Sequence, residues 1–550
     1  MKAWKTMMIL LIWVMTCTSI SIPALAETAQ ADLSSLYKDR DVDSSWTNED
    51  AAVIDLSTLR DSVLTITKKG DYVLSGTWNG QVVIEAPEDD KVRLILNGVT
   101  ITCPEGPAIY EKQSDKLIIT LAEGTQNTLT DGAAITDGED SIGAALYAED
   151  DLSINGSGVL VAHGTSKHGI QSKADLIIAG GQIFVDAVTD AIRGRNSVLV
   201  LNGMISIVSQ GDGIVSTRED KEGKGWIIIA GGMLTIQTGS GAGEQTTLSM
   251  QGNRGSWGRN IPVSPTSTLS QKAVKAATDL TVLDGTLTFD CADDGLHAVN
   301  VTVSGGTFLI RSGDDGMHAD NEMIVNDGII DIAQCYEGIE GKNVTINGGD
   351  IRIVASDDGV NAAGGNDASG FGGRGGDRFS GGDSGNMLVI NGGALSVTAG
   401  NDGLDSNGSI QMNGGNIGIW TATTQGDGAI DFNASGTITG GTLIIVSTNG
   451  VMRDTASMTG QAAMTISVST QTAGTEIKLL DSNGNILGSF TPESAYDTIV
   501  VSSDCLQEGA FCTILCGDMQ VYSGAMSNNL SSSGTSNGFG GGTKNNRRGW

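Results

Sequence analysis

Residues 291–300 read CADDGLHAVN, and residues 312–321 read SGDDGMHADN. The two stretches share Asp-Asp-Gly, an aliphatic residue and His-Ala at an interval of 21 residues. Related turns, aligned on their glycine, follow one another at intervals of 21, 22, 21, 44 and 25 residues. The aligned glycines are Gly295, Gly316, Gly338, Gly359, Gly403 and Gly428. A period in the low twenties is typical of solenoid proteins, which stack one short structural unit on the next.

The segments between the turns have the pattern of β-strands. Residues 301–312 (VTVSGGTFLIRS) and 344–355 (VTINGGDIRIVA) each hold two short alternating stretches around a Gly-Gly turn. Alternation over four or five residues indicates a strand, and glycine adopts the positive φ angles of such turns at little cost. Weaker copies of the first turn lie upstream, at Gly143, Gly169, Ala191, Gly213 and Ala273.

The fold class follows from this repeat. The leucine pattern of leucine-rich repeats is absent, and the blade of a propeller needs about 40 residues or more. We therefore predict an all-β chain that forms a right-handed parallel β-helix with coils of about 21–22 residues and about three strands in each coil. The composition agrees, with 78 glycines, 7 prolines and 4% aromatic residues.

The ends of the chain and two insertions complete the predicted organisation. Lys2 and Lys5 precede an apolar run that ends in Ala24-Leu25-Ala26, which is typical of a secretory signal peptide. We therefore expect a secreted protein, extracellular or associated with the cell surface. The predicted segments are a signal peptide (1–26), a linker (27–48), a cap with the first coils (49–139), the β-helix (140–455) with insertions (239–268 and 364–386), a C-terminal β segment (456–525) and a disordered tail (526–550).

The net charge argues against nucleic-acid binding, and the lengths of the apolar runs argue against a membrane span. The formal net charge of −32 argues against nucleic acid as a partner, because phosphate binding needs a basic face. No apolar run after residue 26 approaches the roughly 18 residues of a membrane span. The remaining cysteines are too dispersed for a disulfide scaffold, although pairing among Cys505, Cys512 and Cys516 stays open after export.

The repeated acids predict a metal site. Equivalent positions of successive coils stack, and two carboxylates about 4.8 Å apart repel by roughly 3 kcal/mol at an effective dielectric constant near 20. Turn chemistry explains one Asp before glycine, but it does not explain the acids two residues before and two residues after. Calcium, which prefers oxygen ligands, is the counter-charge that we expect. The predicted ligands are Asp293, Asp294, His297, Asp314, Asp315, Glu337, Glu340, Asp357, Asp358, Asp402, Asp405 and Asp427.

Three other groups of residues carry hypotheses of their own. His297 and His318 stack, and they either cap the acidic column by hydrogen bonding or bind a transition metal. Lys272 and Lys275 lie one coil below, where they either close the column with salt bridges or supply a general base beside calcium. The aromatic side chains expected to stack on sugar rings are Tyr336, Trp257 and Phe371.

At this point the sequence resembles a known family. The strings GDYVLSGTWNGQVVIEAPEDDKVRLILNGVTI (70–101) and GPAIYEKQSDKLIITLAEGTQNTLTDG (106–132), with the DDGLHA and DDGMHA turns, are similar to exported bacterial carbohydrate-binding domain-containing proteins. The resemblance covers roughly 50–455. It implies a right-handed, polysaccharide-lyase-like β-helix that binds calcium at the Asp-Asp-Gly turns and has affinity for acidic plant polysaccharides and cellulose. Lys272 and Lys275 depart from the pattern of the family, because their copy carries Ala273 in place of glycine.

These observations give a leading hypothesis and two alternatives. The leading one is a secreted calcium-binding protein that recognises plant cell-wall polysaccharide, above all polygalacturonate or pectin, and also cellulose. The first alternative is a calcium-dependent pectate lyase that acts by β-elimination with a lysine base. The second is a structural surface protein or adhesin. The sequence leaves the oligomeric state open.

Overall fold

A computed structural model describes residues 33–137, 140–243, 269–363, 385–421, 428–448 and 457–528. The chain divides into two units, residues 1–38 and 39–550. In its described part, the first unit has a single 3-10 turn at Leu33–Ser35. The predicted signal peptide, most of both glycine-rich insertions and most of the C-terminal tail lie outside the described residues. The second unit carries all the architecture described below.

The second unit begins with a short helix and continues almost entirely in strands. The helix is α1 (Asp39–Val42), and a 3-10 turn lies at Leu56–Thr58. The strands of the first coils are β1 (Ala51–Asp55), β2 (Val63–Ile66), β3 (Gly70–Asn79), β4 (Gln81–Glu85), β5 (Lys91–Thr102), β6 (Ile109–Gln113), β7 (Lys116–Leu121), β8 (Gln126–Thr130), β9 (Ile135–Asp137), β10 (Asp140–Ile142), β11 (Ala144–Ala148), β12 (Asp151–Gly156) and β13 (Val159–Gly164).

The middle coils continue the series. Their strands are β14 (His168–Ser172), β15 (Asp175–Ile178), β16 (Gln182–Ala187), β17 (Ile192–Gly194), β18 (Ser197–Val200), β19 (Met204–Ser209), β20 (Ile214–Ser216), β21 (Trp226–Ile229), β22 (Met233–Thr238), β23 (Val274–Lys275), β24 (Asp279–Val282), β25 (Thr286–Cys291), β26 (Leu296–Val303), β27 (Thr307–Ser312), β28 (Met317–Val325), β29 (Ile329–Cys335), β30 (Ile339–Ile346), β31 (Asp350–Ala355) and β32 (Val360–Ala362).

The last coils and the C-terminal segment follow. Their strands are β33 (Met387–Ile390), β34 (Ala394–Ala399), β35 (Leu404–Ser406), β36 (Ser409–Met412), β37 (Asn416–Thr421), β38 (Ser435–Ile438), β39 (Thr442–Ser447), β40 (Thr459–Gly460), β41 (Ala463–Gln471), β42 (Ile477–Leu480), β43 (Ile486–Phe490), β44 (Tyr496–Ser503), β45 (Phe511–Cys516) and β46 (Met519–Ala525).

Parallel pairing arranges these strands in three stacks, which confirms the predicted parallel β-helix. In the middle coils the first stack contains β17, β20 and β23 and continues through the starts of β26, β28 and β30 into β32 and β35. The second stack contains β18, β21 and β24 and continues through the ends of β26, β28 and β30. The third contains β19, β22, β25, β27, β29, β31, β34 and β37. The right-handed sense of the coil stays a prediction.

Inward-facing side chains of the three stacks form one continuous core. In the first stack Leu296, Met317 and Ile339 lie in register, and all three are fully buried. Burying such a side chain contributes about 1.5–3 kcal/mol, so every coil stabilises the next through its own inward residues. Alternation along each strand therefore decides which residues face inward and which remain for a surface.

The glycines of the two turns are required for different reasons. In the Gly-Gly turns the second glycine has a positive φ, such as 102° at Gly306 and 99° at Gly349. At the Asp-Asp-Gly turns and their copies the constraint is close approach, because a Cβ on Gly338 of the Tyr-Glu-Gly copy would lie 2.2 Å from the carbonyl oxygen of Gly359 in the next coil. Ala191 and Ala273 show that the column tolerates a methyl group in two coils.

The predicted linker and C-terminal segment both contact the β-helix. Asp41 of α1 is buried and binds Lys116 Nζ at 2.9 Å and Ser153 Oγ at 2.7 Å. At the other end β44 pairs with β39 and β41 in antiparallel fashion, and β43, β42, β45 and β46 form a separate four-stranded sheet. The disulfide left open by the sequence is absent among the described residues, because Cys505, Cys512 and Cys516 are free thiols.

Candidate metal centre

The Asp-Asp-Gly turns connect the third stack to the first and place their acids in two neighbouring columns. We call the residues just before the aligned glycines the acidic ladder. The described part of the ladder consists of Asp294, Asp315, Glu337, Asp358 and Asp402. The residues two after the glycines form the outer column, which is in strand register through the whole series. The outer column consists of His297, His318, Glu340, Asn361 and Asp405.

The ladder carboxylates accept hydrogen bonds from the backbone of the next coil, and the same bond occurs below the predicted metal site. Asp294 Oδ1 accepts a hydrogen bond from the backbone N–H of Asp315 at 3.2 Å, and Asp358 Oδ1 accepts one from Asp402 at 2.8 Å. The same bond occurs two coils lower, where Asp212 Oδ1 accepts from the N–H of Lys272 at 2.9 Å. Such bonds satisfy a buried amide between coils. The column therefore begins earlier than predicted, and the weaker upstream copies of the turn were its signal in the sequence.

The lower end of the ladder contains its own cation. The Lys272 side chain is fully buried, and Nζ lies 3.0 Å from Asp293 Oδ1 and in direct contact with Asp294 Oδ2. Burial would raise the pKa of the Asp294 carboxyl, but the Lys272 ammonium and the His297 imidazole hold that pKa well below its usual range. The salt-bridge interpretation of Lys272 therefore fits the geometry, and a buried, paired ammonium is poorly placed to accept a proton.

His318 lies in the outer column, beside Asp315 of the ladder. Its Nδ1 lies 2.9 Å from Asp315 Oδ2 and 2.7 Å from Glu340 Oε2. Burial alone would lower the pKa of His318, but hydrogen bonds to Asp315, Asp320 and Glu340 hold that pKa well above its usual value. The His318 imidazolium thus neutralises part of the acidic charge at this height. Asp315, His318 and Glu340 also lie close enough together to hold a metal ion.

The upper end of the ladder has acids without a nearby cation among the described residues. Burial, followed by the neighbouring carboxylates, raises the pKa of Glu337 and of Asp358 well above the usual range. Between these rungs Asn361 is 1% exposed, and its Nδ2 donates to Glu337 Oε2 at 2.9 Å. Asn361 Oδ1 is buried and accepts no hydrogen bond among the described residues.

A cluster of three carboxylates lies at the upper end of the ladder. Ligand oxygens of Asp402, Asp405 and Asp431 lie within 4.8 Å of one another. Asp431 follows Ile430, which forms a parallel bridge with Leu404. The sequence analysis did not assign Asp431 or Asn361 to the metal site. Their signal was present, since Asn361 stands in the outer column and Asp431 follows the GDGAI turn at 426–430. An all-oxygen set of this kind suits a hard cation.

The remaining residues predicted for the site lie next to the ladder, one coil below it, or outside the described part of the chain. Asp314, Tyr336 and Asp357 lie next to the ladder, where burial and the Asp357 carboxylate raise the pKa of the partly buried Tyr336. Lys275 pairs with His297 in strand register, and its Nζ lies 3.4 Å from Ser270 Oγ. Trp257, Phe371 and Asp427 lie outside the described residues.

Both predicted insertions start at turns that border the first stack. The first begins after β22 and precedes β23, and its described start is fastened where Asp290 Oδ1 accepts from the N–H of Ala242 at 2.9 Å. The second begins after β32, which contains Asn361, and precedes β33. Both insertions therefore adjoin strands of the first stack, which contains the outer column.

Part of the chain is similar to known proteins. A protein-family model described as carbohydrate-binding domain-containing protein matches residues 60–316 and 298–374, together more than half of the chain. A carbohydrate-binding domain-containing protein of Acetivibrio thermocellus is 37% identical over 138 residues, which are 24% of this chain and 48% of that protein. The chain therefore spans about half the length of this relative.

A solved structure is also similar to part of the chain. The polysaccharide lyase-like protein from C. thermocellum, determined as a gadolinium derivative, is 26% identical, with a TM-score of 0.36. The match covers 47% of this chain and 92% of that one. In the part of the chain that the structure describes, no helix is long and apolar enough to cross a membrane.

Proposed function

The chain belongs to the family of carbohydrate-binding domain-containing proteins, and from this membership we propose that it is an exported protein that binds an acidic polysaccharide with the help of calcium. The proposed calcium ligands are at the upper end of the acidic ladder, and the proposed glycan is polygalacturonate or pectin. Cellulose is a second proposed ligand, which would not need the cation.

The observation that carries this proposal is the amide oxygen of Asn361. It is buried and lacks a partner among the described residues, and a buried acceptor without a partner costs about 1–3 kcal/mol. It stands in the outer column between Glu340 and Asp405, one coil from each. Amide and carboxylate oxygens are the ligands that calcium prefers, and a bound calcium ion would satisfy Asn361 Oδ1 and the surrounding acids together.

Charge explains why the upper end is the better place for the cation. The Lys272 ammonium already offsets one of the two charges of Asp293 and Asp294, and the His318 imidazolium lies between Asp315 and Glu340. Burial and neighbouring carboxylates raise the pKa of Glu337 and of Asp358 well above the usual range, and the described ion pairs include none with either residue. In this proposal Asp293 and Asp294, which were predicted as calcium ligands, form ion pairs with Lys272 instead.

A cation also resolves a conflict between the protein and its proposed ligand. The chain has 64 acidic and 32 basic residues, so a uronate polymer would be repelled by most of its surface. Calcium supplies a positive charge that both partners can coordinate. The half-buried Tyr336 next to the ladder is the described aromatic side chain best placed to contact a sugar ring.

Affinity gel electrophoresis with polygalacturonate, run with calcium and with a chelator, tests the proposal. We expect retardation with calcium and little without it. Asp402→Asn combined with Asp405→Asn should abolish the calcium-dependent retardation. Asp284→Asn combined with Asp327→Asn removes the same charge from exposed turns and should not. Equal retardation in chelator would overturn the role of calcium. Absence of any glycan binding, together with self-association, would favour the structural surface protein instead.

A second candidate function is polysaccharide lyase activity, favoured by the position of Lys275. Lys275 is partly buried, lies one coil below His297, and has no carboxylate within ion-pair distance among the described residues. Its Nζ contacts the neutral Ser270 hydroxyl instead. In its neutral form, such an amine takes the C5 proton of a uronate while the C4–O bond breaks and a C4=C5 double bond forms, and the leaving sugar oxygen takes a proton from water.

The lyase candidate is tested by the ultraviolet absorbance of unsaturated uronate products. Lys275→Gln should abolish product formation and leave calcium-dependent retardation in the gel intact. No product from the native protein at any calcium concentration would exclude the enzyme and leave the binding proposal standing.

A further inference from the structure

The outer column of the first stack changes its chemistry below the candidate metal centre. From His297 it continues downward in strand register through Lys275 and Val215 to Arg193 and Gln171. Arg193 and Gln171 are half-buried, so their polar groups reach the surface of the first stack. The column therefore passes from carboxylates at its upper end to a guanidinium and an amide at its lower end.

Lys173 and Arg195 stand beside the lower end of this column. Alternation places each of them on the same side as the residue two positions earlier, and the N–H of Arg195 donates to the carbonyl oxygen of Ser172 at 3.0 Å. Neighbouring coils are about 4.8 Å apart, and residues two apart along a strand are roughly 7 Å apart. Gln171, Lys173, Arg193 and Arg195 thus form a two-by-two group, which we call the basic array.

Charge is distributed unevenly around the basic array. Residues 166–196 contain four lysines and arginines and three aspartates, whereas the whole chain has 32 basic and 64 acidic residues. Asp175 and Asp186 lie on strands of the second and third stacks. Only Asp190 lies at the first-stack turn, where its Oδ2 accepts a hydrogen bond from Arg193 Nη1 at 2.9 Å. The basic array is therefore a cationic area on an acidic chain.

The basic array retains donors for a ligand. A guanidinium has five N–H donors, and the bond to Asp190 uses one side of the Arg193 group. Arg195 is exposed and forms no ion pair or side-chain hydrogen bond within the part of the chain that the structure describes, and the same is true of the Gln171 amide. Lys173 Nζ, by contrast, lies 3.3 Å from Glu149 Oε2 in the coil below. The two arginines and the glutamine are thus the members available to an anion.

We propose that Gln171, Arg193 and Arg195 form a subsite for carboxylate groups of the same polygalacturonate chain that calcium holds at the upper end of the acidic ladder. The inference rests on the proposed function, and it adds to that function a contact that needs no metal ion. A planar guanidinium matches a carboxylate with two parallel N–H···O bonds, and the Gln171 amide suits the hydroxyl groups of a sugar.

The outer column gives the glycan a continuous path between the two sites. From Arg193 to Asn361 it climbs through six pairings in register, which is roughly 29 Å at about 4.8 Å for each coil. One chain of several uronate residues spans this distance. Its second contact is then intramolecular, which strengthens the complex beyond either contact alone. Cellulose lacks carboxylates and gains nothing from the arginines, so the subsite favours uronate polymers.

Affinity gel electrophoresis with polygalacturonate at a constant, saturating calcium concentration tests the subsite. Arg193→Gln combined with Arg195→Gln should weaken binding about fivefold to tenfold. Arg60→Gln combined with Lys478→Gln is the matched control, because it removes the same charge from an exposed turn near the N-terminus and from β42. The control should leave polygalacturonate binding unchanged.

Further measurements separate charge recognition from folding. Arg195→Gln alone removes an exposed side chain, so it should unfold at the native temperature and still weaken binding about threefold. Raising the ionic strength should weaken binding of the native chain more than that of the double variant, because salt screens exposed charges. The rise in unfolding temperature with calcium alone should be the same in both chains, since the array lies roughly 29 Å below Asn361.

The possible failures of the subsite and of the proposed function are distinct. Native-like polygalacturonate binding by Arg193→Gln with Arg195→Gln would overturn the subsite and leave calcium-dependent binding standing. An equal loss in the control pair would also overturn it, because the effect would then belong to net charge. A lost calcium response in the double variant would place the effect at the metal site. Absence of retardation of the native chain would overturn the proposed function and the subsite together.

Discussion

The Lys272 ammonium and the Asp294 carboxylate form an ion pair in which both side chains have no exposed surface. Asp293 joins the pair from the next position, and the backbone N–H of Lys272 donates to Asp212 below. One residue thus connects two rungs of the column. In a chain that repeats an acid at this position, the lysine takes the place of a diffusible cation and closes the lower end of the ladder.

Replacing this lysine should therefore be costly. Lys272→Met leaves Asp293 and Asp294 buried without their counter-charge, and breaking a buried pair from one side costs about 3–5 kcal/mol. Lys275→Met removes a lysine three residues away that forms no close ion pair among the described residues, and we expect a smaller loss than in Lys272→Met. Urea unfolding monitored by circular dichroism compares the two. Equal losses would show that the ion pair contributes little.

The N-terminal helix should act as a fastening for the first coils. Asp41 is 2% exposed and binds Lys116 and Ser153, which lie in adjacent coils of the second stack. Asp41→Ala leaves the buried Lys116 ammonium with the more distant carboxylate of Asp151, 3.9 Å away, so we expect a loss of about 3 kcal/mol and faster proteolysis near residue 40. Asp43→Ala, which removes an exposed carboxylate that accepts hydrogen bonds from the nearby Ser45, is the control and should lose much less stability. Unchanged proteolysis in Asp41→Ala would contradict this role.

Glu111 should make stability depend on pH. Its side chain has no exposed surface, Oε1 has no partner among the described residues, and burial raises its pKa to about 7. A raised carboxyl pKa means that the folded state prefers the protonated form. Its contribution is therefore fully present below the unfolded pKa of about 4.3 and is lost as pH rises through about 7.

Glu111→Gln should remove this dependence of the free energy of unfolding on pH. Glu111→Gln keeps an uncharged acceptor for the N–H of Asp150, so at pH 8 it should be more stable than the native chain by up to about 3 kcal/mol. At pH 4 the two should be equal. Glu123→Gln, on an exposed turn, controls for the charge change and should follow the native curve. Parallel curves of native and Glu111→Gln chains across this range would contradict the prediction.

The repeat was sufficient to predict the fold and the columns. Period and alternation together determine which residues stack, and the register of His297, His318, Glu340, Asn361 and Asp405 agrees with the alignment of the turns. Close approach at Gly338 could not be predicted, because it depends on the distance to the next coil and not on local turn chemistry.

The chemistry of the ladder was harder to predict than its position. A sequence alignment treats every rung as equivalent, whereas Lys272 and His318 neutralise particular rungs through contacts that depend on side-chain direction. The orphaned oxygen of Asn361 is likewise a property of packing, since its amide nitrogen happens to be occupied by Glu337. These details distinguish a lower end of the predicted metal site, which contains the Lys272 ammonium, from an upper end, which contains the unsatisfied Asn361 oxygen.

Asn361 provides the sharpest test of that division. If calcium binds at the upper end, it should raise the unfolding temperature of the native chain, because a ligand at 100 times its Kd adds about 2.7 kcal/mol of stability. Asn361→Ala removes the buried amide oxygen and the donor to Glu337, so calcium should bind about 10–100-fold more weakly and the rise should shrink. Asn347→Ala is the matched control, because Asn347 belongs to an exposed asparagine ladder and donates to Asn326 at 2.8 Å. Differential scanning fluorimetry across a calcium titration gives the comparison. A full calcium response in Asn361→Ala, with the response lost in Asp293→Asn, would reverse the assignment of the two ends.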